Sequence, residues 1–345
     1  MSNTGARRLP RAALSRRGFL GAGGAVALGT LLGACGGGGG SGPASGGGAW
    51  SFTDDRGEKV RLDARPERVV GYVAAAAALY DFGVDEQIAG VFGPTRLKDG
   101  RPDPQAGNLP VDRLEIIGNA FGEFNIEKYA NLRPDLLVSN MFLEDELFYV
   151  PPESKDKIFK LAPSAAIAAG AVPLPRPIER TGALAAALGA DLKAGKVTAA
   201  KARFEKAAEA VRAAAGANGG LKVLAASASP DLFYASSPDK NTDLIYFKEL
   251  GVDLVVPENL DQNGFFENLS WENADRYKAD VIMLDSRTQA LQPGDLGDKP
   301  TWKDLPAVKA GQVVPWNPEP RFSYEGCAPI LEALATSLKS AKKTG

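Results

Sequence analysis

The chain has 345 residues, including 40 Lys and Arg, 42 Asp and Glu, two Cys and no His. Without histidine it cannot form a Ser-His-Asp or Cys-His nucleophilic site or an imidazole-ligated metal site, and two cysteines are too few for an iron–sulfur cluster. Five arginines and no acidic residue precede Cys35, so the rest of the chain has 35 basic against 42 acidic residues and a net charge of −7. A net negative charge of this size gives no indication of nucleic-acid binding. The length suits one large or two medium α/β domains, and neither a resident cofactor nor a protein-ligated metal is expected.

Residues 1–35 have the pattern of an export signal. The pair Arg16-Arg17 resembles a twin-arginine signal, and the weakly apolar run after it is too short and too glycine-rich for a transmembrane helix. The run ends in Leu32-Gly33-Ala34-Cys35, which resembles a lipobox, so Cys35 is predicted to be lipidated and to become the new N-terminus. An ordinary secretory signal with a chance cysteine is the alternative.

Residues 36–49 are predicted to be a glycine-rich tether that separates a lipid anchor from a folded body. A flexible chain of this length spans roughly 20 Å. The sequence therefore predicts an exported protein anchored to the outer face of the cytoplasmic membrane. Cys327 is then the one cysteine left in the folded body, where we expect a small buried apolar side chain.

Short apolar runs alternate with helical stretches from Trp50 onward. Continuous runs of this kind are typical of parallel strands that are covered on both faces, and alternation with helices indicates an α/β fold. The predicted strands are 69–73, 88–92 and 136–139 in the first half, and 223–226, 254–256, 281–284 and 313–314 in the second.

Two patterns occur in the same order in both halves. Each half has a helix that ends at a glycine, Gly83 or Gly251, before a strand. Further along, a glutamate precedes the aspartate of an Asp-led strand by eight residues, in Glu127–Asp135 and again in Glu272–Asp280. Two matches in the same order indicate two similar lobes.

A long helical region is predicted over 178–216, between a lobe at 50–177 and a lobe at 217–345. Phe204 and Val211 recur on one of its helical faces. One long helix would be a stiff connection, so little hinge closure is expected.

The signal, the paired Glu–Asp units, the long helix and the segment Thr301–Val313 together resemble the iron–siderophore and cobalamin family of ABC-transporter substrate-binding proteins. The resemblance covers essentially the whole mature chain. It implies two lobes with a ligand cleft between them, a long helix as backbone, and delivery of the ligand to a membrane permease. One departure is that the family often carries a Glu in the helix after the first strand, where this chain has Ala74 to Ala78.

Glu127 and Glu272 are the predicted contacts with the permease. Each follows a good N-cap residue, Asn125 or Ser270, by two positions. A carboxylate there could simply complement the helix dipole, which contributes about 0.3–1 kcal/mol. The resemblance instead implies that both match lobe-tip glutamates that pair with permease arginines, one from each lobe.

Ligands of open α/β sheets bind beyond the carboxyl ends of the strands, and this rule places the predicted cleft. The candidate ligand-binding residues are Tyr72, Phe121, Met141, Phe142, Tyr234, Phe265, Phe266, Arg287, Trp316, Arg321 and Tyr324. Core packing is the alternative for each aromatic residue, and an ion pair with Asp285 is the alternative for Arg287.

Aromatic residues mixed with arginine suit a ferric siderophore, whose own oxygens complete the coordination of the iron. A hydroxamate of the ferrioxamine type is favoured, because an acidic protein tolerates cationic complexes better than anionic ferric tris-catecholates. Cobalamin or haem is the alternative ligand, and haem would need an axial ligand such as Tyr324 or Met141. The expected partners are the siderophore, an ABC permease and a membrane, without nucleic acid, for a monomeric protein.

No enzyme is expected, because no G-x-S-x-G elbow or P-loop occurs. A carboxylate-dependent extracellular hydrolase is the rival class, although nothing pairs two particular carboxylates. An adhesive surface lipoprotein is a third alternative, but it would not need two lobes with aromatic strand ends.

Overall fold

A computed structural model describes residues 48–344 of the protein. The predicted export signal, Cys35 and nearly all of the predicted tether lie outside these residues. Along the described chain, no helix combines the length and the apolar character needed to cross a bilayer.

The first lobe is built on a five-stranded sheet in which every strand runs parallel to its neighbours. A short antiparallel hairpin precedes it. The strands are β1 (Trp50–Thr53), β2 (Lys59–Leu62), β3 (Val69–Tyr72), β4 (Ile88–Phe92), β5 (Glu115–Gly118), β6 (Leu136–Met141) and β7 (Ser164–Ala168), and the helices are α1 (Val73–Phe82), α2 (Ile126–Asn131), α3 (Lys155–Leu161) and α4 (Pro175–Ala187). The sheet order is β5-β4-β3-β6-β7, so the chain reverses direction across the sheet between β5 and β6.

The predicted connecting helix is two helices rather than one. Helix α4 packs against α1 and β7 and so belongs to the first lobe. The chain then turns at Gly189, whose φ of 99° is left-handed, before α5 (Gly195–Ala217) begins. The apolar face predicted for this helix is confirmed, because Phe204 and Val211 are buried.

The second lobe contains a mixed sheet, whereas the sequence predicts only parallel strands. Its elements are β8 (Lys222–Ala228), β9 (Leu232–Ser236), α6 (Thr242–Glu249), β10 (Asp253–Leu254), β11 (Phe266–Ser270), β12 (Val281–Asp285), α7 (Pro300–Asp304), α8 (Pro306–Lys309), β13 (Val313–Trp316) and α9 (Tyr324–Ser340). Strand β9 is antiparallel to β8 because a tight turn at Ser229, too short for a crossover, joins them. The antiparallel strand β11 then forms the edge beyond β9.

The internal repeat extends to matching hydrogen bonds. Gly83 after α1 and Gly251 after α6 both have left-handed φ, at 108° and 93°. The Asp135 carboxylate accepts the backbone N–H of Arg68 at 2.9 Å, and the Asp280 carboxylate accepts that of Lys222 at 2.8 Å. In both lobes an aspartate thus ties the start of one central strand to the start of its neighbour. The predicted class, two similar α/β lobes, is confirmed.

The main apolar core is shared by the two lobes. It runs from Trp50 in β1 through α5 to Leu338 in α9, and a smaller core fills the outer part of the second lobe. Helices α5 and α9 pack along each other, and Arg203 bonds Glu332 across their exposed edge at 2.7 Å. The lobes are therefore joined by packed side chains as well as by the chain.

Candidate ligand-binding site

A cavity of about 460 Å³ lies between the lobes, beyond the carboxyl ends of β6, β12 and β13. The first lobe contributes the loop 142–150 that follows β6, together with Phe121. The second lobe contributes Phe265 and Phe266 at the start of β11, and the loops after β12 and β13. The volume is in the range of pockets that hold small organic ligands.

Aromatic rings form most of the cavity wall in the first lobe. Phe148 packs edge-on against Phe142 and Tyr149, with ring centroids 4.8 Å apart in both pairs. Tyr149 stacks on Tyr72 behind it at 5.3 Å and meets the exposed ring of Phe121 edge-on at 5.4 Å. This wall is preformed, because each ring is held by a neighbouring ring.

Tyr149 is held in a backbone conformation that non-glycine residues rarely adopt. Its φ is 62°, and that of Asp145 in the same loop is 59°. Such conformations cost about 1–3 kcal/mol each and persist only where the surroundings fix them. Here aromatic packing fixes the loop so that it folds back into the cavity rather than extending into solvent.

Arg287 provides the polar wall, and two carboxylates hold its guanidinium. Its Nη2 lies 2.6 Å and its Nε 3.0 Å from the Asp285 carboxylate, and its Nη1 donates to Glu319. Asp285 is fully buried and also accepts a hydrogen bond from Ser227 at 2.8 Å. Of the five N–H groups of a guanidinium, one on each Nη remains for a ligand. The ion pair of Arg287 with Asp285, which was the alternative to ligand binding, is thus observed, but it leaves two N–H groups of Arg287 available to a ligand.

Glu319 links the polar wall to the first lobe. The Gln105 side chain donates to its Oε2 at 3.1 Å, and the Tyr72 hydroxyl lies 3.3 Å from the same oxygen. Tyr72 also donates to Gln105 at 2.8 Å. A buried network of this kind fixes its members in one arrangement, because each would be costly to leave unpaired.

Burial shifts the pKa values in this network. Burial raises the pKa of Glu319, although Arg287 acts in the opposite direction. Burial alone would lower the pKa of Arg287, but the charges of Glu319 and Asp285 outweigh it and raise the pKa, so the guanidinium stays charged. Burial also raises the pKa of Tyr149 to about 12, which keeps its hydroxyl neutral.

The structure brings five of the eleven predicted ligand-binding residues into the cavity wall. These are Phe121, Phe142, Phe265, Phe266 and Arg287. The other six, Tyr72, Met141, Tyr234, Trp316, Arg321 and Tyr324, lie outside the lining.

Tyr72 and Trp316 end strands as predicted, but they point into the core. Tyr72 is fully buried behind Tyr149, and Trp316 is 1% exposed with its indole N–H donated to Asp243 at 2.5 Å. A ligand in the cavity therefore cannot touch them in this arrangement. An aromatic residue at a strand end can face either the cleft or the core, and its type does not decide which.

The remaining four residues are used elsewhere. Tyr324 packs against Phe204 of α5 with centroids 5.6 Å apart, and Arg321 lies 3.8 Å from Asp81. Tyr234 bonds the Ser229 hydroxyl at 3.1 Å within its own hairpin. Met141 is buried at the end of β6. Because Tyr324 and Met141 are both outside the lining, neither could act as an axial haem ligand in this cavity.

Several wall residues were not predicted from the sequence. The main ones are Phe148, Tyr149, Phe159 and Glu319. Glu319 follows β13 by three residues, so the strand-end rule, applied to charged residues as well, would have found it. Phe148 and Tyr149 stand in an apolar run six residues or more after β6, beyond the reach of that rule.

Glu127 and Glu272 are both exposed, one in each lobe. Asn125 is the N-cap of α2 as predicted, with its side chain accepting the Lys128 N–H at 2.9 Å. The helix predicted at Glu272 is only a single 3₁₀ turn, Trp271–Asn273, and Ser270 makes no side-chain cap there. Within residues 48–344 neither glutamate forms an ion pair.

Over the same described range, no cluster of three or more Asp, Glu or Cys residues is arranged to hold a metal ion. Cys327 is buried, as predicted, and its Sγ lies 3.2 Å from the Arg321 carbonyl oxygen.

The fold and the cavity define a two-lobed binding protein. The sequence model of the periplasmic binding protein family matches residues 69–320, and the chain belongs to this family. This confirms the resemblance seen in the sequence.

Solved structures agree with this assignment. DesE from Streptomyces coelicolor, described as a ferric-siderophore receptor protein, is 52% identical with a TM-score of 0.83; the match covers 86% of this chain and all of DesE. More distant structures share the fold: FeuA from Bacillus subtilis, complexed with ferri-bacillibactin, is 17% identical with a TM-score of 0.62 over 84% of this chain and 97% of FeuA. SirA from Staphylococcus aureus, complexed with staphyloferrin B, is 18% identical with a TM-score of 0.59 over 85% of this chain and 99% of SirA. No curated protein matches the sequence.

Proposed function

We propose that the protein captures a ferric siderophore outside the cytoplasm and delivers it to an ABC permease, without acting as an enzyme. The observation that carries the proposal is the aromatic cavity between the lobes, with one clamped guanidinium in its wall. The 52% identity to a ferric-siderophore receptor, across all of that receptor's chain, supports the same ligand class.

The chemistry of the wall suits a chelate rather than bare iron. A siderophore surrounds its iron with its own oxygens, so the protein has to recognise only the outside of the complex. Phe142, Phe148 and Tyr149 offer flat apolar surface for the organic backbone. The two remaining N–H groups of Arg287 can donate to the chelating oxygens.

The charges of the lining favour a hydroxamate over a catecholate. Three carboxylates line the cavity, on Asp145, Glu146 and Glu319, against two cations, on Lys155 and Arg287. A ferric trishydroxamate is neutral or, with a free ammonium group, cationic, whereas a ferric tris-catecholate is trianionic. A net negative wall therefore disfavours the catecholate.

We propose further that Cys35 carries a lipid and that residues 36–49 tether the lobes to the outer face of the cytoplasmic membrane. The order of basic stretch, apolar run, cysteine and glycine tract supports this reading. In the native host, Cys35→Ser should release the protein into the soluble extracytoplasmic fraction. A variant that stays with the membrane fraction would contradict the anchor.

Glu127 and Glu272 are the proposed contacts with the permease. Both are exposed, they lie on different lobes, and neither is tied to a cation of the described chain. Two acidic points that are fixed relative to each other would set the orientation of docking through charge-assisted pairs.

A titration of the lipid-free protein tests the ligand class. Tryptophan fluorescence is followed while a ferric trishydroxamate, a ferric tris-catecholate, haem or cobalamin is added. We expect saturable quenching by the ferric trishydroxamate and none by the iron-free hydroxamate or by haem. Flat titrations with every ferric siderophore would refute the proposed function.

A further inference from the structure

The polar wall of the cavity contains a cation whose charge is already neutralised. Arg287 donates to Asp285 through Nε and Nη2 and to Glu319 through Nη1. Its side chain is 16% exposed, while those of Asp285 and Glu319 are 0% and 9% exposed. Two carboxylates against one guanidinium leave this triad with a net negative charge.

Glu319 is the member of the triad that brings this charge to the cavity surface. It lines the cavity, whereas Asp285 is buried behind Arg287. Arg287 and Gln105 both donate hydrogen bonds to Glu319. A carboxylate that receives such donors is satisfied in its ionised form, since a protonated carboxyl would need an acceptor instead.

From this geometry we infer that Glu319 is a specificity-determining residue that excludes anionic ferric chelates. It neutralises the charge of Arg287, so that Arg287 serves the ligand as a hydrogen-bond donor rather than as a counter-ion. The inference rests on the proposed function and deepens it. Arg287 alone would attract a tris-catecholate, because a free guanidinium is an effective partner for anionic oxygens. With both carboxylates in place, the wall still donates hydrogen bonds but repels a trianion.

The expected size of the effect follows from Coulomb's law. Repulsion by one carboxylate about 8 Å away lowers the affinity for a trianion by more than about tenfold, even at the dielectric constant of water and low ionic strength. A neutral hydroxamate complex is almost unaffected by the same charge. The change in preference therefore isolates charge from shape, because each ligand keeps its shape when the residue is changed.

The test compares Glu319→Gln with Glu205→Gln, which removes the same charge from the exposed face of α5 outside the cavity lining. Both variants and the unaltered protein are titrated at low salt with one ferric trishydroxamate and one ferric tris-catecholate. We expect Glu319→Gln to bind the ferric tris-catecholate at least about tenfold more tightly than the unaltered protein does, with almost unchanged hydroxamate affinity, and Glu205→Gln to gain almost nothing. A gain of binding cannot come from structural damage, so it separates the charge role from a merely structural one.

Three results would count against the inference. Equal losses for both ligands in Glu319→Gln, or an unchanged preference, would overturn it while leaving the proposed function intact. An equal gain in Glu205→Gln would also overturn it, because the effect would then belong to the net charge of the protein. Failure of the unaltered protein to bind either chelate would overturn the proposed function itself.

A second measurement needs no variant. Repulsion is screened by salt, so catecholate affinity of the unaltered protein should rise as salt is added, while hydroxamate affinity should stay nearly constant. A catecholate affinity that falls with salt would show net attraction and overturn the inference, even if Glu319→Gln did not fold.

Discussion

Asp243 makes the stability of the protein depend on pH in a direction opposite to that of most aspartates. Its carboxylate is 1% exposed and accepts hydrogen bonds from the indole of Trp316 and the backbone N–H of Leu244. No cation pairs with it in the described chain. Burial raises its pKa from 3.8 to about 6, although the hydrogen bond from Trp316 acts in the opposite direction.

The sign of the effect follows from which state holds the proton. Between about pH 4 and pH 6 the folded protein keeps the Asp243 proton while the unfolded chain has lost it, so this contribution to stability falls as the pH rises through that window. By about pH 7 the loss is complete. The rise of the pKa from 3.8 to about 6 corresponds in full to about 3 kcal/mol.

Asp243→Asn removes this dependence. The amide also replaces one hydrogen-bond acceptor with a donor, which imposes a cost that does not change with pH. The free energy of unfolding of the variant relative to the unaltered protein should therefore improve by about 2 kcal/mol between pH 4 and pH 7.5. Urea unfolding at these two pH values, followed by circular dichroism, measures the difference.

The control is Asp231→Asn, at an exposed aspartate, which should shift the unfolding free energy equally at both pH values. If the difference between Asp243→Asn and the unaltered protein were the same at pH 4 and pH 7.5, the buried carboxylate would not be the source of the pH dependence, and the reasoning would be refuted.

Three further outcomes are expected. Phe121→Ala should weaken siderophore binding roughly tenfold without changing the melting temperature, because Phe121 is 72% exposed. The control Leu192→Ala, at an exposed site outside the cavity, should leave binding unchanged, and equal effects of the two variants would argue against a role for Phe121. Glu127→Ala combined with Glu272→Ala should leave ligand affinity intact and abolish uptake by whole cells; a loss of affinity would contradict the docking role. Arg287→Ala should lower the free energy of unfolding by about 3–5 kcal/mol, because it leaves two buried carboxylates without their cation, and an undiminished stability measured in urea would show that the ion triad is not needed.

Much of the fold was predictable because apolar runs and glycine-capped helices are local patterns. The runs at 136–139 and 281–284 are central strands, buried on both faces as such runs require. Strand β9 was missed because its direction depends on the three-residue turn that precedes it, and the sequence pattern used was that of parallel strands. The break between α4 and α5 was missed because apolar periodicity continues on both sides of it.

The candidate site was half predictable for a related reason. Strand ends point to the correct edge of each sheet, so Phe142 and Arg287 could be placed in the cavity from the sequence. Trp316 could not be distinguished from them, because its orientation depends on the buried Asp243 that accepts its N–H. Tyr149 was missed because its loop folds back into the cavity through left-handed backbone at Asp145 and Tyr149, and residue type does not reveal that conformation.

The shared core limits how the protein could be truncated or recombined with a homologue. One continuous apolar cluster extends from the hairpin near Trp50 to the C-terminal helix, so the interior of the first half continues into the second, which adds only a smaller core of its own. Truncation at α5 would expose the apolar faces of α5 and α9 to solvent. A chimaera that combines one half of this protein with the other half of a homologue would need both helices to come from the same parent. Heating should accordingly melt the whole body in a single cooperative step.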